Sequence, residues 1–241
     1  MLLEINDINK SFGGLLALQD ISFSVEEGET LGIMGANGAG KTTLFSLIAG
    51  HAKPSRGKIT LAGRQIDGMR PDQISALGIA RTYQIVRPFR GLTVLENVAA
   101  GALYGSRQEK TMKSANDFAM EILSDVGLDD RANDLAGNLT LAGFKRLELA
   151  KALATGPKIL LLDEVMAGLT PSEVNEAIAI IEASKQKFSL TVIVIEHVMK
   201  ALMRMCERIV VLHHGEMIAM GAPDQIAKDE LVIQAYLGEE K

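Results

Sequence analysis

Apolar and polar positions along the chain follow two patterns that predict alternating strands and helices. A fully apolar run at residues 159–162 is typical of a parallel strand that is covered on both faces, and residues 190–195 are predicted to form a second buried strand. Apolar residues at helical spacing occur in the segments 144–154, 171–185 and 198–205. This alternation predicts an α/β fold with a mainly parallel sheet and helical crossover connections.

Two regions depart from this alternation. The opening is β-rich, with short strands predicted at residues 2–5 and 21–25 and residues 15–20 lying between them, and we interpret it as an antiparallel β subdomain. Residues 93–135 instead carry apolar residues at helical spacing, which predicts a helical insertion. The predicted boundaries are 1–241 for a single domain, 1–92 and 136–241 for its core, and 93–135 for the helical subdomain.

Charge and composition narrow the classes of function. The formal net charge of −5 argues against a nucleic-acid surface, which usually needs a basic face. The single cysteine, Cys206, excludes an internal disulfide. No apolar run approaches the roughly 20 residues that a membrane-spanning helix needs, and the N-terminus lacks the pattern of a secretory signal. A role at a membrane would therefore require docking on another chain.

A glycine-rich loop between a predicted strand and a predicted helix is the clearest functional motif. Residues 35–43 match G-x-x-x-x-G-K-[ST], the loop whose backbone N–H groups bind nucleotide phosphates. Lys41 provides a positive charge for the β- and γ-phosphates, and the Thr42 hydroxyl can ligate Mg²⁺. The required context is present, because residues 30–34 are predicted to form a buried strand and residues 41–50 a helix whose N-terminus faces the anion. The candidate nucleotide-binding residues are Gly35, Ala36, Asn37, Gly38, Ala39, Gly40, Lys41, Thr42 and Thr43.

Polar residues follow three other predicted strands, at the ends where open α/β sheets bind ligands. Asp163 can hold Mg²⁺, and Glu164 can accept a proton from the water that attacks the γ-phosphate. His197 can donate a hydrogen bond to a γ-phosphate oxygen, and Gln84 can reach the metal or the attacking water. Each is a weak signal alone, since solvated polar residues are ordinary at strand ends. Together with the phosphate loop they predict an ATPase.

The segment around Gln84 is basic and partly aromatic, and it precedes the predicted helical insertion. Its members are Arg81, Arg87, Pro88, Phe89 and Arg90. Two interpretations of this pattern stay open, a docking surface for a partner protein and a solvated loop.

Together these motifs resemble the nucleotide-binding subunits of ATP-binding-cassette transporters, over nearly the whole chain. The resemblance implies that residues 35–43 are the Walker A loop and that Asp163 and Glu164 are the Walker B pair. It implies that Gln84 is the Q-loop glutamine and His197 the switch histidine. The resemblance also implies two further features, an aromatic ring that stacks on adenine and a D-loop, at Phe12 and residues 167–170 respectively.

Four stretches are most similar to the ATPases of branched-chain amino acid importers, and the lipopolysaccharide-export ATPase is a near relative. They are residues 11–17, 80–84, 166–169 and 235–238. The resemblance implies ATP and Mg²⁺ as cofactors. The partners that it implies are a second ATPase subunit, transmembrane permease subunits and, indirectly, a solute-binding protein. It places the subunit in the cytoplasm, on the inner face of the cell membrane.

One stretch departs from the family pattern. The family's signature motif, Leu-Ser-Gly-Gly-Gln, has Leu139, Thr140, Leu141, Ala142 and Gly143 as its ungapped counterpart. A gapped reading instead aligns Ala142 and Gly143 with the two glycines. In this family each ATP lies between one Walker A loop and the partner's signature motif, so a methyl group at Ala142 should hinder the backbone N–H that approaches the γ-phosphate. Losing one such donor lowers a rate by about 10²–10³.

The altered motif leaves several functions open. In a homodimer both ATP sites would turn over slowly, whereas in a heterodimer Lys41, Glu164 and His197 could face a normal signature motif. The alternatives are a non-transport ATP switch and a regulatory subunit with weak hydrolysis. The sequence has one phosphate loop and no heptad run, which argues against a non-transport ATP switch. The transported solute, the direction of transport and the composition of the dimer stay open.

Overall fold

The computed structural model describes residues 1–83, 88–197 and 199–237. The chain divides into two compact units, called here unit one (residues 1–71 and 191–241) and unit two (residues 72–190). The strands are β1 (Leu3–Phe12), β2 (Leu15–Val25), β3 (Thr30–Met34), β4 (Arg56–Leu61), β5 (Arg64–Gln65), β6 (Ile79–Arg81), β7 (Ile159–Asp163), β8 (Thr191–Ile195), β9 (Arg208–His213) and β10 (Glu216–Gly221). The helices are α1 (Lys41–Ile48), α2 (Pro71–Ala76), α3 (Val94–Tyr104), α4 (Met112–Asp125), α5 (Leu141–Ala154), α6 (Pro171–Phe188), α7 (Met199–Met205), α8 (Pro223–Ile226) and α9 (Glu230–Leu237).

The first sheet of unit one is antiparallel, with the strand order β2-β1-β4-β5. Leu3 of β1 pairs with Val25 of β2 on one side and with Leu61 of β4 on the other. The predicted antiparallel β subdomain is therefore present. Residues 15–20, which lie between the two strands predicted from the sequence, belong to β2, so this strand is longer than predicted. Register shifts in the β1–β2 pairing break the two-residue period by which a strand is predicted.

A second group of strands in unit one leads into the glycine-rich loop. β3 lies between β8 and β9 and is parallel to both, while β10 pairs antiparallel with β9. Every residue of β3 and β8 is buried, as expected for parallel strands that are covered on both faces. α1 begins directly after the loop that follows β3, so the predicted strand–loop–helix order is present.

Unit two combines two parallel strands, β6 and β7, with a group of packed helices. α3 packs on both α4 and α5, and Val98, Ile122 and Leu147 of these helices are fully buried. α3 and α4 lie within the predicted helical insertion at residues 93–135, whose boundaries stay a prediction. Within the described part of the chain, each helix is too short or too polar to cross a bilayer.

Gly101 lies where α3 passes close to α5. A Cβ built on Gly101 would lie 2.7 Å from the carbonyl oxygen of Lys151 and 3.2 Å from the Cβ of Ala154. Overpacking of this kind costs about 1–3 kcal/mol, whereas replacing glycine in a helix by alanine returns roughly 1 kcal/mol. We therefore predict that Gly101→Ala lowers the free energy of unfolding, measured by urea denaturation. Gly91→Ala is the control, because a Cβ there meets nothing within 4 Å. Equal stability of the two variants would contradict the packing.

Candidate functional site

The glycine-rich loop of unit one has a backbone shape that only glycines accommodate at its ends. Gly35 and Gly40 have φ angles of 156° and 100°. A Cβ on Gly35 would lie 2.3 Å from the carbonyl oxygen of Leu212, and a Cβ on Gly40 would lie 2.7 Å from that of Ala17. These two glycines are therefore required by the close approach of other backbone segments. Gly38 has a φ of 81° and open space around it, so glycine is required there by the backbone conformation and not by a close neighbour.

Lys41 is the first residue of α1, and its side chain is turned into the loop. The residue is only 5% exposed, and Nζ donates to the carbonyl oxygens of Gly35 at 2.6 Å and Ala36 at 2.9 Å. The loop therefore carries a buried positive charge at the N-terminus of a helix, where the helix dipole adds to it. Asn37 and Gly38 at the tip of the loop are exposed. This combination suits a bound anion such as a triphosphate.

The other predicted site residues of unit one lie at strand and helix ends. Phe12 ends β1 with its ring 52% exposed, and Nζ of Lys10 lies 4.6 Å from the ring centroid. Thr42 is exposed in the first turn of α1, next to the partly buried Thr43. His197 is exposed two residues after the end of β8.

Asp163 in unit two is a buried carboxylate that is paired with a buried arginine. Asp163 is the last residue of β7 and 2% exposed. Nη2 of Arg81 donates to Oδ2 of Asp163 at 2.6 Å, and the backbone N–H of Asp163 donates to Oγ1 of Thr82 at 3.1 Å. The interpretation of Arg81 as part of an exposed basic surface was wrong, because only 7% of its side chain is exposed. Its position on β6, parallel to β7, directs it to the acid.

Glu164 follows Asp163 in an unusual backbone conformation. Its φ is 50°, the left-handed region that residues with a Cβ rarely adopt, and the residue is 8% exposed. Its carbonyl oxygen accepts hydrogen bonds from the backbone N–H of Ala167 at 3.3 Å and from Nζ of Lys145 at 3.0 Å. Lys145 is buried on α5, and no sequence motif had identified it.

The predicted Gln84 and Arg87 lie outside the described residues, but both flanks of the segment are described. Tyr83 is 43% exposed, and partial burial raises the pKa of its phenol above the ordinary value, so the hydroxyl stays neutral. Phe89 is 57% exposed. Its backbone is held by Asn97, which accepts from the Phe89 N–H at 2.9 Å and donates to the Phe89 carbonyl at 3.1 Å.

The stretch that departs from the family's signature motif forms the start of α5. Thr140 is the N-cap, and its Oγ1 accepts a hydrogen bond from the Gly143 N–H at 3.2 Å. Leu141 and Ala142 follow in the first turn of the helix, and Leu141 is 51% exposed. Leu139 precedes the cap and is buried. A hydroxyl at the cap agrees with the ungapped reading, which places Thr140 at the serine of the motif.

Two of the predicted Mg²⁺ ligands lie in the described part of the chain, the hydroxyl of Thr42 in unit one and the carboxylate of Asp163 in unit two. Within the described ranges, no group of three or more histidine, cysteine, aspartate or glutamate side chains could hold a metal. Mg²⁺ usually binds one or two protein oxygens together with substrate phosphates and water, and it does not need such a cluster. The Thr42 hydroxyl and the Asp163 carboxylate fit this donor chemistry.

Comparison with protein families identifies the group to which the chain belongs. The model described as "ABC transporter" matches residues 18–167, and the model described as "Branched-chain amino acid ATP-binding cassette transporter" matches residues 216–241. The chain belongs to the ATP-binding-cassette transporter family. Its activity is accordingly ATP hydrolysis coupled to transport, and it binds ATP and ADP as the members of this family do.

Curated relatives in the family match the full length of the chain. It is 39% identical over 250 residues to the high-affinity branched-chain amino acid transport ATP-binding protein LivG of Salmonella typhimurium, over 99% of this chain and 98% of the relative. The corresponding protein BraF of Pseudomonas aeruginosa is 37% identical over the same shares. The lipopolysaccharide export system ATP-binding protein LptB of Haemophilus influenzae is 32% identical, over 99% and 98%. The predicted resemblance is confirmed.

Solved structures show the same fold. A nucleotide-free ATP-binding cassette from an ABC transporter superposes with a TM-score of 0.89 at 29% identity, over 99% of both chains. The ADP conformation of MJ1267, an ATP-binding cassette of an ABC transporter, gives a TM-score of 0.87 at 29% identity, also over 99% of both chains. The predicted fold class, an α/β cassette with an antiparallel sheet and parallel strands, is confirmed.

The Arg81–Asp163 pair gives a prediction about stability. Removing one partner of a buried ion pair leaves the other charge uncompensated, which costs about 3–5 kcal/mol. We therefore predict that Arg81→Met lowers the free energy of unfolding by an amount of this order. The double variant with Asp163→Asn removes both charges and should recover most of the loss. Chemical denaturation of the single and double variants measures the difference, and equal stability of the two would contradict a direct pair.

Proposed function

We propose that this chain is the ATP-hydrolysing subunit of an importer for branched-chain or other hydrophobic amino acids. The observation that carries the proposal is full-length similarity to LivG and BraF, both named as high-affinity branched-chain amino acid transport ATP-binding proteins. The match of residues 216–241 to the branched-chain family model supports the same class of solute. LptB, whose name indicates lipopolysaccharide export, is less similar at 32% identity, so import is the better supported direction.

The proposed reaction is attack of water on the γ-phosphorus of ATP, with cleavage of its bond to the oxygen that bridges to the β-phosphate. The backbone N–H groups of residues 35–43 and the ammonium of Lys41 bind the triphosphate. Glu164 accepts a proton from the attacking water, and Gln84 orients that water. His197 donates a hydrogen bond to a γ-phosphate oxygen. ADP and phosphate are the products.

Adenine and the metal have separate proposed contacts. Phe12 stacks on adenine, which its exposed ring at the end of β1 supports. Thr42 and Asp163 hold Mg²⁺, with Gln84 as a further ligand. Bound Mg²⁺ supplies positive charge that offsets the charge on the phosphate oxygens.

The proposed assembly contains two ATPase subunits bound to transmembrane permease subunits, on the cytoplasmic side of the cell membrane, with a solute-binding protein outside. We assign the permease contact to residues 84–91. The exposed ring of Phe89 supports this, because its backbone is fixed by Asn97 and an exposed, fixed aromatic residue is typical of an interface.

The start of α5 supports a pair of unlike subunits. Leu141 is half-exposed and Ala142 follows it, so side chains stand where the family's motif has glycines. We propose that the ATP held by this chain faces an intact signature motif on a different partner. The second site, which uses this chain's altered stretch, mainly binds ATP.

Glutamine substitutions in each subunit of the reconstituted transporter test this asymmetry. We predict that Glu164→Gln in this chain abolishes most ATP turnover, because in the asymmetric pair Glu164 serves the site that hydrolyses ATP. The same substitution in the partner should cost much less. Steady-state hydrolysis and uptake of radiolabelled leucine into proteoliposomes are the two measurements.

The other outcomes of that experiment separate the alternatives. Equal losses from either substitution would rule out asymmetry. Unchanged turnover with Glu164→Gln here, together with full loss from the partner's substitution, would identify this chain as a regulatory subunit that binds ATP. The half-exposed Leu141 at the altered motif is the observation that favours this second function.

A further inference from the structure

We infer that Lys145 is a positioning residue for ATP hydrolysis. Its ammonium group, carried by α5, holds the backbone of Glu164 and so ties the carboxylate to the helix that begins with the altered signature stretch. This inference rests on the proposed function, since it takes Glu164 as the residue that accepts the proton of the attacking water. We place Lys145 in contact with neither the nucleotide nor the attacking water, so it acts through Glu164.

The hydrogen bond between Lys145 and Glu164 is buried and lies in apolar surroundings. Lys145 is 8% exposed, and its Nζ lies 3.0 Å from the carbonyl oxygen of Glu164. Its side chain lines a small cavity that is bounded mainly by apolar residues, among them Leu149, Leu162 and Val165. A hydrogen bond from a charged donor is stronger than a neutral one, and apolar surroundings strengthen it further. The contact therefore holds the Glu164 carbonyl firmly.

The carbonyl that Lys145 holds belongs to a residue in a disfavoured conformation. Glu164 has a φ of 50°, and such a conformation persists only when its surroundings stabilise it. The second donor to the same oxygen, the Ala167 N–H, lies at the longer distance of 3.3 Å. Because the backbone angles of Glu164 fix the direction of its Cα–Cβ bond, holding its carbonyl also fixes the direction in which its side chain leaves the backbone.

The same face of α5 comes close to the far end of this turn. Leu141 and Lys145 are four residues apart on the helix and therefore lie one above the other. A Cβ built on Gly168 would lie 3.2 Å from Cδ2 of Leu141. α5 thus approaches the segment 164–168 at both ends, with Leu141 near Gly168 and Lys145 bonded to the carbonyl oxygen of Glu164. A shift at the start of α5 would reach the catalytic carboxylate by this route.

Substitution of Lys145 in the assembled transporter tests the inference. Lys145→Met keeps the aliphatic stem and removes the donor. We expect kcat for ATP to fall by about 10²-fold, the scale of a misplaced catalytic group, with KM for ATP unchanged. Lys145→Arg keeps a charged donor and should restore most of kcat. The control is Arg146→Met on the same helix, where the arginine pairs with the exposed Glu176 at 2.5 Å. This control loses a partly buried cation and should keep its kcat.

A second measurement uses the full chain alone and does not depend on turnover. Hydrogen exchange of the backbone amides at residues 165–169 should quicken in Lys145→Met and stay as in the unaltered chain in Lys145→Arg and Arg146→Met. If Lys145→Met does not fold, Lys145→Leu, which also lacks a hydrogen-bond donor, takes its place with the same expectations.

The inference is overturned by an unchanged kcat in Lys145→Met, by a raised KM with the same kcat, by an equal loss in Arg146→Met or by unchanged exchange. Failure of the proposed function looks different. In that case the unaltered assembly shows no Mg²⁺-dependent turnover, and the exchange result still decides whether Lys145 holds the turn.

Discussion

The conformation of the loop between β3 and α1 is the constraint on which the nucleotide site depends. Gly35 and Gly40 lie so close to neighbouring backbone that a larger residue would displace it. The charge of Lys41 is buried and is compensated by two carbonyl oxygens of the same loop. A buried cation is tolerated only with such partners. The loop is therefore preformed around a positive charge, and anion binding requires little rearrangement of the main chain.

In unit two the charges are reversed, because acidic residues at the end of a strand are contacted by basic side chains. Asp163 ends a strand whose other residues are all buried apolar side chains, and Glu164 follows it directly. Asp163 is compensated by Arg81, 82 residues earlier in the chain, and the backbone of Glu164 is held by Lys145, 19 residues earlier. The carboxylate of Asp163 and the backbone carbonyl of Glu164 thus each contact a cation from elsewhere in the fold. These contacts explain why the side chain of Arg81 and the residue Lys145, which belong to no motif, are buried like the acids.

The sequence predicted those features that depend on local pattern. The buried strands β3, β7 and β8 and the loop at residues 35–43 follow from continuous apolar runs and from a motif with a physical meaning. The extent of β2 was missed because register shifts against β1 interrupt its alternation. Arg81 and Lys145 were misread or missed for another reason. In a sequence, a basic residue that becomes buried cannot be told from a solvated one, because only the tertiary structure brings it to an acid or a carbonyl. No sequence spacing predicts that contact. Roles of the individual site residues stay predictions.

Calorimetric titration of the full chain with ATP, with and without Mg²⁺, beside the Lys41→Met variant measures whether this loop binds the triphosphate. We expect saturable binding that Mg²⁺ strengthens and that Lys41→Met largely removes, because the variant has no loop charge to meet the phosphates. Binding that is independent of Mg²⁺, or an affinity that is unchanged in the variant, would contradict a triphosphate bound in this loop.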